Sequence, residues 1–365
     1  MLISILGITL SCYVALMLYF RVGLARSSKS SKTTEFEPSV TVIVAARNEQ
    51  QFIGSCVGSL LKLDYPPEKL ELVIVNDGSS DQTQQIAESF AGPGKCLRII
   101  TSGPVTGNLR GKANALASGI AASSGEILMF TDADCIVPPS WVRATVRYFE
   151  SDTAVVGGFT LLEGNQIFQG IQALDWFYLF GIACAMAGHE KPLTVIGNNL
   201  AVRRTAYESV GGYERIPFSV TEDYSLVRTI IDKTHSTVRF PMDPEALVQS
   251  HACASWRDLF RQKQRWSVGG LNMVLAGIVV MGIVWITKTS LVITMFSSHL
   301  GWLTAGIATA CVFDYLFLLR LLRPFRLSSH LRFFLPFEVY LSFYSIVIPL
   351  VAALSRKVVW KERSL

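Results

Sequence analysis

Short apolar runs alternate with helically spaced apolar positions through the N-terminal half of the chain. The runs, rich in Val, Ile and Leu, predict four strands, at residues 40–45, 70–75, 97–101 and 126–130. Apolar side chains at helical spacing predict the intervening helices, at residues 50–62, 82–90 and 112–122. This alternation indicates βαβ units around a parallel sheet, an α/β fold whose ligands bind at the carboxyl ends of the strands.

Much longer apolar segments lie towards both ends of the sequence. Residues 1–20 carry no charge and are long enough to cross a bilayer as a helix. This segment has neither a basic start nor a clear small-residue cleavage site, which favours a retained anchor over a signal peptide. Three further apolar segments predict C-terminal membrane helices, at residues 268–287, 294–319 and 333–354.

Two amphipathic segments predict helices that lie at the membrane interface. Residues 166–187 become wholly apolar after an amphipathic start, but they are short for a span and include Asp175. Residues 255–267 are basic and have Trp256 and Trp266 near their two ends. The predicted organisation is an N-terminal transmembrane helix 1–20, a polar linker 21–39, an α/β domain 40–254, an interface helix 255–267, a membrane region 268–354 and a basic tail 355–365.

Positive charge predicts which side of the membrane the α/β domain occupies. Arg21, Arg26, Lys29 and Lys32 directly follow the first apolar segment, and the positive-inside rule places them and the domain in the cytoplasm. The net charge of +5 lies beside apolar segments, which favours an anionic membrane surface over nucleic acid as a partner. The basic tail should also be inside, yet three spans after the domain leave it outside. A re-entrant hairpin and an extra crossing between residues 288 and 320 are both open.

Four polar side chains follow predicted strands or begin a predicted helix. Asp132 and Asp134 follow the fourth strand, and residues i and i+2 of an extended chain point the same way. Their oxygens suit Mg²⁺ or Mn²⁺ that also binds phosphate, although acidic residues are common in turns. Asp77 follows the second strand, where it can accept hydrogen bonds from a base or ribose, or form part of an N-D-G turn. Lys112 begins a helix, where it can bind phosphate or be solvated.

Two later groups of residues each have a chemical and a structural interpretation. Glu222 and Asp223 precede an apolar helical segment, where a carboxylate can act as a general base or stabilise the helix dipole. Gln262, Arg265 and Trp266 share one side of a predicted helix. Arginine there can bind a diphosphate and tryptophan can stack on a sugar, while both can also anchor the helix at a membrane surface.

The order of these motifs is more specific than any one of them. The series is Ala-Arg-Asn-Glu at 46–49, Asn-Asp-Gly-Ser at 76–79, Gly-Lys at 111–112, Asp-Ala-Asp at 132–134, Gly-Asn-Asn at 197–199, Thr-Glu-Asp at 221–223 and Gln-Lys-Gln-Arg-Trp at 262–266. From about Val40 to Gly270 the chain resembles the membrane-bound family 2 glycosyltransferases. Their relatives include cellulose, hyaluronan and poly-N-acetylglucosamine synthases and ceramide glucosyltransferase. The resemblance implies a GT-A domain, which is Rossmann-like and binds a nucleotide-sugar.

The resemblance also implies the layout of the donor site, which we expect to take a UDP-linked sugar. The residues that would contact its base, ribose or diphosphate are Arg47, Glu49, Asp77, Lys112, Asp132, Gln262, Arg265 and Trp266. Asp132 and Asp134 would form the D-x-D pair that holds Mg²⁺ or Mn²⁺, with Asp134 preferred as the direct ligand. A metal and nearby cations can stabilise the charge of a leaving nucleoside diphosphate.

On the acceptor side, the resemblance implies one displacement that inverts the anomeric centre. Asp223 would be the base that takes the acceptor's proton, and Glu222 would shape the acceptor side. The residues implied to contact the acceptor are Asn198, Asn199 and Trp266.

Three functions are consistent with the sequence. The first is transfer of a hexose or hexosamine to a lipid or lipid-linked acceptor, by an integral protein of a bacterial inner membrane with a cytoplasmic catalytic domain. The second is processive polysaccharide synthesis, and the third is a non-catalytic role in a polysaccharide export complex. The small number of membrane helices favours a lipid acceptor over a long polymer, and the filled acidic positions disfavour the third function.

Overall fold

A computed structural model divides the chain into two compact units. The sheet unit comprises residues 27–161 and 194–251, and the helical unit comprises residues 1–26, 162–193 and 252–365. The structure describes residues 2–28, 36–92, 96–105, 107, 109–269, 274–354, 359–360 and 363–364. Part of the predicted linker and most of the basic tail lie outside the described residues.

The strands up to residue 251 confirm the predicted α/β fold. In chain order they are β1 (Val40–Ala46), β2 (Leu70–Asn76), β3 (Leu97–Thr101), β4 (Ile127–Asp132), β5 (Thr153–Gly157), β6 (Thr160–Glu163), β7 (Leu200–Arg203), β8 (Thr237–Arg239) and β9 (Val248–His251). One sheet has the order β3-β2-β1-β4-β7-β5-β8. Its first four strands are parallel, while β7 is antiparallel to both β4 and β5.

Helices cover both faces of this sheet and make up most of the helical unit. In chain order they are α1 (Leu2–Ser27), α2 (Ile53–Leu60), α3 (Thr83–Glu88), α4 (Gly111–Ala121), α5 (Trp141–Val146), α6 (Ile167–Ala187), α7 (Arg204–Ser209), α8 (Gly212–Arg215), α9 (Glu222–Thr234), α10 (Trp256–Gly269), α11 (Leu275–Met295), α12 (Leu300–Leu322) and α13 (Phe334–Leu354). The three helices predicted between the first four strands are α2, α3 and α4.

The strand register brings candidate site residues to one edge of the sheet. Ala46 pairs with Asn76, and Ala45 pairs with Asp132, so β1, β2 and β4 end side by side. Alternate residues of β1 are buried on opposite faces: Val44 packs in one core cluster and Ile43 in the other. A sheet buried on both faces explains the continuous apolar runs that predicted these strands.

Five helices among the described residues are long and apolar enough to cross a membrane, so the chain is a membrane protein. They are α1, α6, α11, α12 and the segment Ser328–Val351, which contains most of α13. The N-terminal span and the three C-terminal spans match the prediction in number. The predicted spans at 268–287 and 294–319 begin before the helices α11 and α12, which start at Leu275 and Leu300. The first of them begins too early because α10 continues as far as Gly269.

Helix α6 differs from the interface helix that the sequence predicts. It groups with the helical unit, and 89% of its most apolar window is buried by protein. A helix in the headgroup layer would instead expose a polar face. Gly170 and Gly181 permit close packing, since a Cβ at either position would lie 2.2 Å from Phe333 or Leu321. We conclude that α6 is the central helix of its unit.

Candidate active site

The loops after β1 and β2 are joined by hydrogen bonds at the ligand edge of the sheet. Arg47 Nη1 donates to the backbone oxygen of Asp77 at 2.6 Å, and the Glu49 N–H donates to Thr83 Oγ1 at 2.7 Å. Between them, Asn48 has a left-handed φ of 52°, which Asn tolerates better than most residues. The structure therefore brings Arg47, Glu49 and Asp77 together, and their contact with a base or ribose stays a prediction.

Asp77 itself is buried where β2 ends. Its N–H donates to Ala46 O at 2.8 Å, which extends the β1–β2 pairing by one residue. Ser102 Oγ donates to Asp77 Oδ1 at 3.2 Å and fixes the carboxylate. Gly78 follows with a φ of 64°, so the N-D-G turn is present as well. The turn and the positioned carboxylate are thus parts of one feature.

Lys112 connects the end of β4 with the start of α9. Its Nζ lies 2.5 Å from Asp132 Oδ1 and 3.2 Å from Glu222 Oε1. Burial works to lower the pKa of Lys112, but the carboxylates of Asp132, Glu222 and Asp223 outweigh it and hold that pKa above its usual range. The lysine is therefore a fixed positive charge between the D-x-D pair and the predicted base.

Asp223 lies beside this lysine with its orientation fixed by two backbone N–H groups. Gly197 N–H donates to Asp223 Oδ2 at 2.6 Å, and Tyr224 N–H donates to Oδ1 at 2.8 Å. Burial and the neighbouring Glu222 carboxylate raise the pKa of Asp223 to about 6, against the lowering effect of Lys112 and the two N–H groups. A carboxylate with a pKa near 6 is ionised at neutral pH and is still basic enough to accept a proton.

Asp134 lies two residues after Asp132, which is the last residue of β4 and the partner of Lys112. Ser250 Oγ donates to its Oδ2 at 3.4 Å. Burial raises the pKa of the Cys135 thiol, and the Asp134 and Asp132 carboxylates raise it further. Among the described residues, no group of three or more His, Cys, Asp or Glu side chains could hold a metal. A cation here would therefore need oxygen ligands from a bound molecule in addition to the two carboxylates.

The side chains of Asn198 and Asn199 are both hydrogen-bonded inside the sheet unit. Thr160 Oγ1 donates to Asn198 Oδ1 at 3.1 Å, and Trp141 Nε1 donates to Asn199 Oδ1 at 2.9 Å. The Asn199 amide donates to two backbone oxygens, those of Phe159 and Ala246. Both side chains are buried, at 2% and 3% exposure. Their geometry is that of residues that hold the segment before β7 in place, and an acceptor contact by them stays a prediction.

Gln262, Arg265 and Trp266 lie on α10 in the helical unit, as the sequence predicted. Trp266 packs against Trp176 of α6, with ring centroids 5.5 Å apart. Gln262 Oε1 is buried and has no hydrogen-bond partner in the part of the chain that the structure describes. A buried acceptor of this kind is costly unless another group bonds to it. The helix thus presents both a fixed ring and a polar group suited to a ligand.

Comparison with protein families identifies the family of the chain. A model described as "Glycosyl transferase family group 2" matches residues 127–355, and one described as "Glycosyl transferase family 2" matches residues 41–211. The chain belongs to the family 2 glycosyltransferases. The first match alone spans well over half of the chain and includes the D-x-D pair, the T-E-D segment and the Q-x-x-R-W helix.

Two curated relatives of this glycosyltransferase act on different kinds of acceptor, by their names. A β-monoglucosyldiacylglycerol synthase of Synechocystis is 29% identical over 65% of this chain and 49% of its own length. A poly-β-1,6-N-acetyl-D-glucosamine synthase of Staphylococcus epidermidis is 27% identical over 76% of this chain and 68% of its own length. The chain spans about half the length of the first curated relatives it matches.

A solved structure has a similar fold. A mannosyltransferase of Pyrobaculum calidifontis, solved in complex with GDP-Man and Mn²⁺, superposes with a TM-score of 0.61 at 19% identity. The comparison covers 93% of this chain and 99% of that one. The GT-A fold expected from the motif order is therefore confirmed.

Sequence reasoning missed two buried lysines of this glycosyltransferase. Lys263, inside the Q-x-x-R-W motif, is ion-paired with Asp175. Lys288, inside a membrane helix, is paired with Asp314 and Glu338. The available signals were Asp175 within the apolar segment of α6 and Lys288 within that of α11, since charged residues there are expensive unless they are paired.

Proposed function

We propose that this glycosyltransferase moves a sugar from a nucleotide-sugar to a lipid or lipid-linked acceptor, with inversion of the anomeric centre. The observation that carries the proposal is Lys112, whose ammonium contacts both Asp132 of the D-x-D pair and Glu222 beside the base. One side chain thus couples the expected donor site with the expected site of proton transfer. The named activity of the monoglucosyldiacylglycerol synthase supports a lipid acceptor.

The residues of the sheet unit supply the groups that one displacement requires. Asp223 takes the proton of the acceptor hydroxyl, the hydroxyl oxygen bonds to the anomeric carbon, and the bond to the diphosphate breaks. The nucleoside diphosphate leaves with the bonding electrons. Lys112 stabilises that developing charge, and Asp77 with the Arg47 loop orients the nucleoside.

A divalent metal fits the donor set at the end of β4. The carboxylates of Asp132, Glu222 and Asp223 all act on Lys112, so a diphosphate would meet several negative charges beside this ammonium. Asp132 and Asp134 offer hard oxygen ligands, and diphosphate oxygens would complete the set. Bound there, Mg²⁺ or Mn²⁺ would supply positive charge to the leaving group. The Mn²⁺ in the solved mannosyltransferase supports this assignment.

We further propose a bacterial inner-membrane location with the sheet unit in the cytoplasm. The basic residues after α1 support this orientation through the positive-inside rule. The pool of nucleotide-sugars would then reach the donor site directly. Gln262, Arg265 and Trp266 would close over the diphosphate and the acceptor.

The test is a screen of labelled UDP-glucose, UDP-N-acetylglucosamine and GDP-mannose with the purified protein in lipid. We expect label in the organic extract, dependent on Mg²⁺ or Mn²⁺ and lost with a chelator. Asp223→Asn should reduce transfer by about 10²- to 10⁴-fold, the range for loss of general-base catalysis. Asp232→Asn, on the same helix but exposed and paired with Arg228, is the matched control and should keep full activity.

The processive synthase is the second candidate, favoured by the similarity to the poly-N-acetylglucosamine synthase. It predicts that the label enters a ladder of long polymer chains instead of lipid. A non-catalytic export component predicts that no nucleotide-sugar is consumed. Unchanged transfer by Asp223→Asn would remove the assignment of the base.

A further inference from the structure

Lys263 is a charged residue whose surroundings do not match the solvated face of an amphipathic helix. It lies within the Gln262–Trp266 motif on α10, yet only 2% of it is exposed. Its ammonium is ion-paired with Asp175, the acidic residue that interrupts the apolar sequence of α6. Burial works to lower the pKa of Lys263, but the Asp175 carboxylate outweighs burial and the pKa lies above its usual range. The pair is therefore enclosed by protein.

The same ammonium also contacts two aromatic rings. It lies 4.6 Å from the ring centroid of Trp266 and 5.0 Å from that of Tyr344 on α13. Both distances are within the range of cation–π attraction, which is strongest when the cation is desolvated. Trp266 also packs against Trp176, which lies on α6 one residue after Asp175. The ammonium of the ion pair and the Trp176 ring thus both contact the Trp266 ring.

A second contact fixes the chain just before α10. The Cys253 N–H donates to Gln172 Oε1 at 2.8 Å, and Gln172 Nε2 donates to the Cys253 backbone oxygen at 3.2 Å. Gln172 and Asp175 are one helical turn apart on α6, so they share a face. Helix α6 therefore holds α10 at two points, near its start through Cys253 and in its middle through Lys263.

We propose that Lys263 and Asp175 are positioning residues for the transfer reaction, which fix Trp266 and the helical turn that carries Gln262 and Arg265. The inference rests on the proposed function, because those three side chains are expected to contact donor and acceptor. Lys263 touches neither substrate in this assignment; it acts through the residues on either side of it. The geometry explains why an acidic residue lies in α6 and why the motif of this chain has a lysine after its glutamine.

The experiment separates positioning from simple stabilisation. Lys263→Met alone leaves a buried carboxylate unpaired and is expected to unfold, so the test variant is Lys263→Met combined with Asp175→Leu. An apolar pair of similar volume commonly restores the stability lost with a buried ion pair. We expect this variant to melt close to the wild-type temperature and to raise the KM for the labelled nucleotide-sugar by about 10- to 100-fold, the effect of a small misplacement.

A double-mutant cycle with Trp266→Leu gives the second readout. Residues that act through one another are not additive, so the apolar pair should change KM by less than about twofold in the Trp266→Leu background. The proposal is overturned if the apolar pair raises KM as much in the Trp266→Leu background as in the wild type, or if it leaves KM unchanged. It is also overturned if the apolar pair fails to fold. Each of these results would assign Lys263 and Asp175 to folding alone. Absence of turnover in the wild-type protein would instead refute the proposed function, and this inference with it.

Discussion

Two lysines of this glycosyltransferase each lie between two carboxylates, in different units of the molecule. In the sheet unit, Lys112 Nζ lies 2.5 Å from Asp132 and 3.2 Å from Glu222. In the helical unit, Lys288 on α11 pairs with Glu338 on α13 and, at 3.4 Å, with Asp314 on α12. In each cluster one ammonium is paired with two carboxyl groups. Their surroundings are opposite.

Exposure to solvent is what distinguishes the two clusters. The Lys112 and Asp132 side chains are 21% and 37% exposed, whereas those of Lys288 and Asp314 are 1% and 0% exposed. Water or a ligand can therefore replace a partner of Lys112, while the partners of Lys288 are fixed by packing. One arrangement of charges thus occurs at an open edge, where we propose ligand binding, and in a closed cluster between packed helices.

The closed cluster draws one polar residue from each of the five long apolar helices. Tyr13 and Tyr178 hydroxyls donate to Asp314 Oδ1 at 2.5 and 2.7 Å, which adds α1 and α6 to the three helices joined by Lys288. Buried polar groups of membrane helices are costly unless partnered, so the network specifies which helices pack together. No comparable enclosure is needed around Lys112.

The largest expected effect comes from opening the closed cluster with Lys288→Met. Removing one partner of a buried charge cluster costs about 3–5 kcal/mol, because the remaining carboxylates keep no cation. We expect a lower melting temperature of the lipid-reconstituted protein and loss of folded material. Ile293→Met, at a 52% exposed position of the same helix, is the control and should leave the melting temperature unchanged. Equal melting temperatures of Lys288→Met and Ile293→Met would show that the enclosed cluster does not stabilise the fold.

A somewhat smaller effect, and of a different kind, is expected from Lys112→Met. Loss of a preorganised charge at the leaving group should lower kcat by about 10²- to 10³-fold. The folded state should persist, since water can solvate Asp132 and Glu222. Activity and melting temperature measured together test this, with Lys233→Met on the exposed side of α9 as the control. A collapse of stability equal to that of Lys288→Met would contradict the distinction.

The smallest predicted effect is the pH dependence of activity, which tests Asp223 beside the open cluster. Asp223, with a pKa of about 6, works as a base only when ionised. Activity should therefore rise as pH increases through about 6 and level off above it, with about a tenfold loss for each unit below. In Glu222→Gln the neighbouring negative charge is removed, so the midpoint should move to lower pH. A midpoint that moves upward would reverse the assigned cause.

Local patterns were enough to predict the half of the sheet unit that is built from βαβ units. Strands β1 to β4 lie within two residues of their predicted positions, because they are buried on both faces and read as continuous apolar runs. The antiparallel strands β5 and β7 and the short β8 were not predicted. They are short, and partners distant in sequence decide their pairing, so no period within the chain identifies them.

The candidate site shows the same limit. Motif order predicts that Asp77, Asp132 and Asp223 share one site, since strand ends and helix starts can be located from sequence. The contact of Lys112 with Glu222 and that of Lys263 with Asp175 join segments far apart along the chain, and no spacing rule reaches them. Likewise, nothing in the sequence indicated that the Asn199 amide donates to the backbone oxygens of Phe159 and Ala246, while its expected acceptor contact stays a prediction.

The hydrogen bond between Tyr13 and Asp314 has a consequence for how the protein is made. These residues are 301 positions apart in sequence. At a synthesis rate of about 5–20 residues per second, α1 is inserted roughly 15–60 s before its partner on α12 is translated. During that interval the whole sheet unit leaves the ribosome and can fold, while α1 stays in lipid without its closing contact. The enclosed network is therefore one of the last parts of the molecule to assemble, and a ribosome stalled before α12 would carry a folded sheet unit on an unfinished membrane bundle.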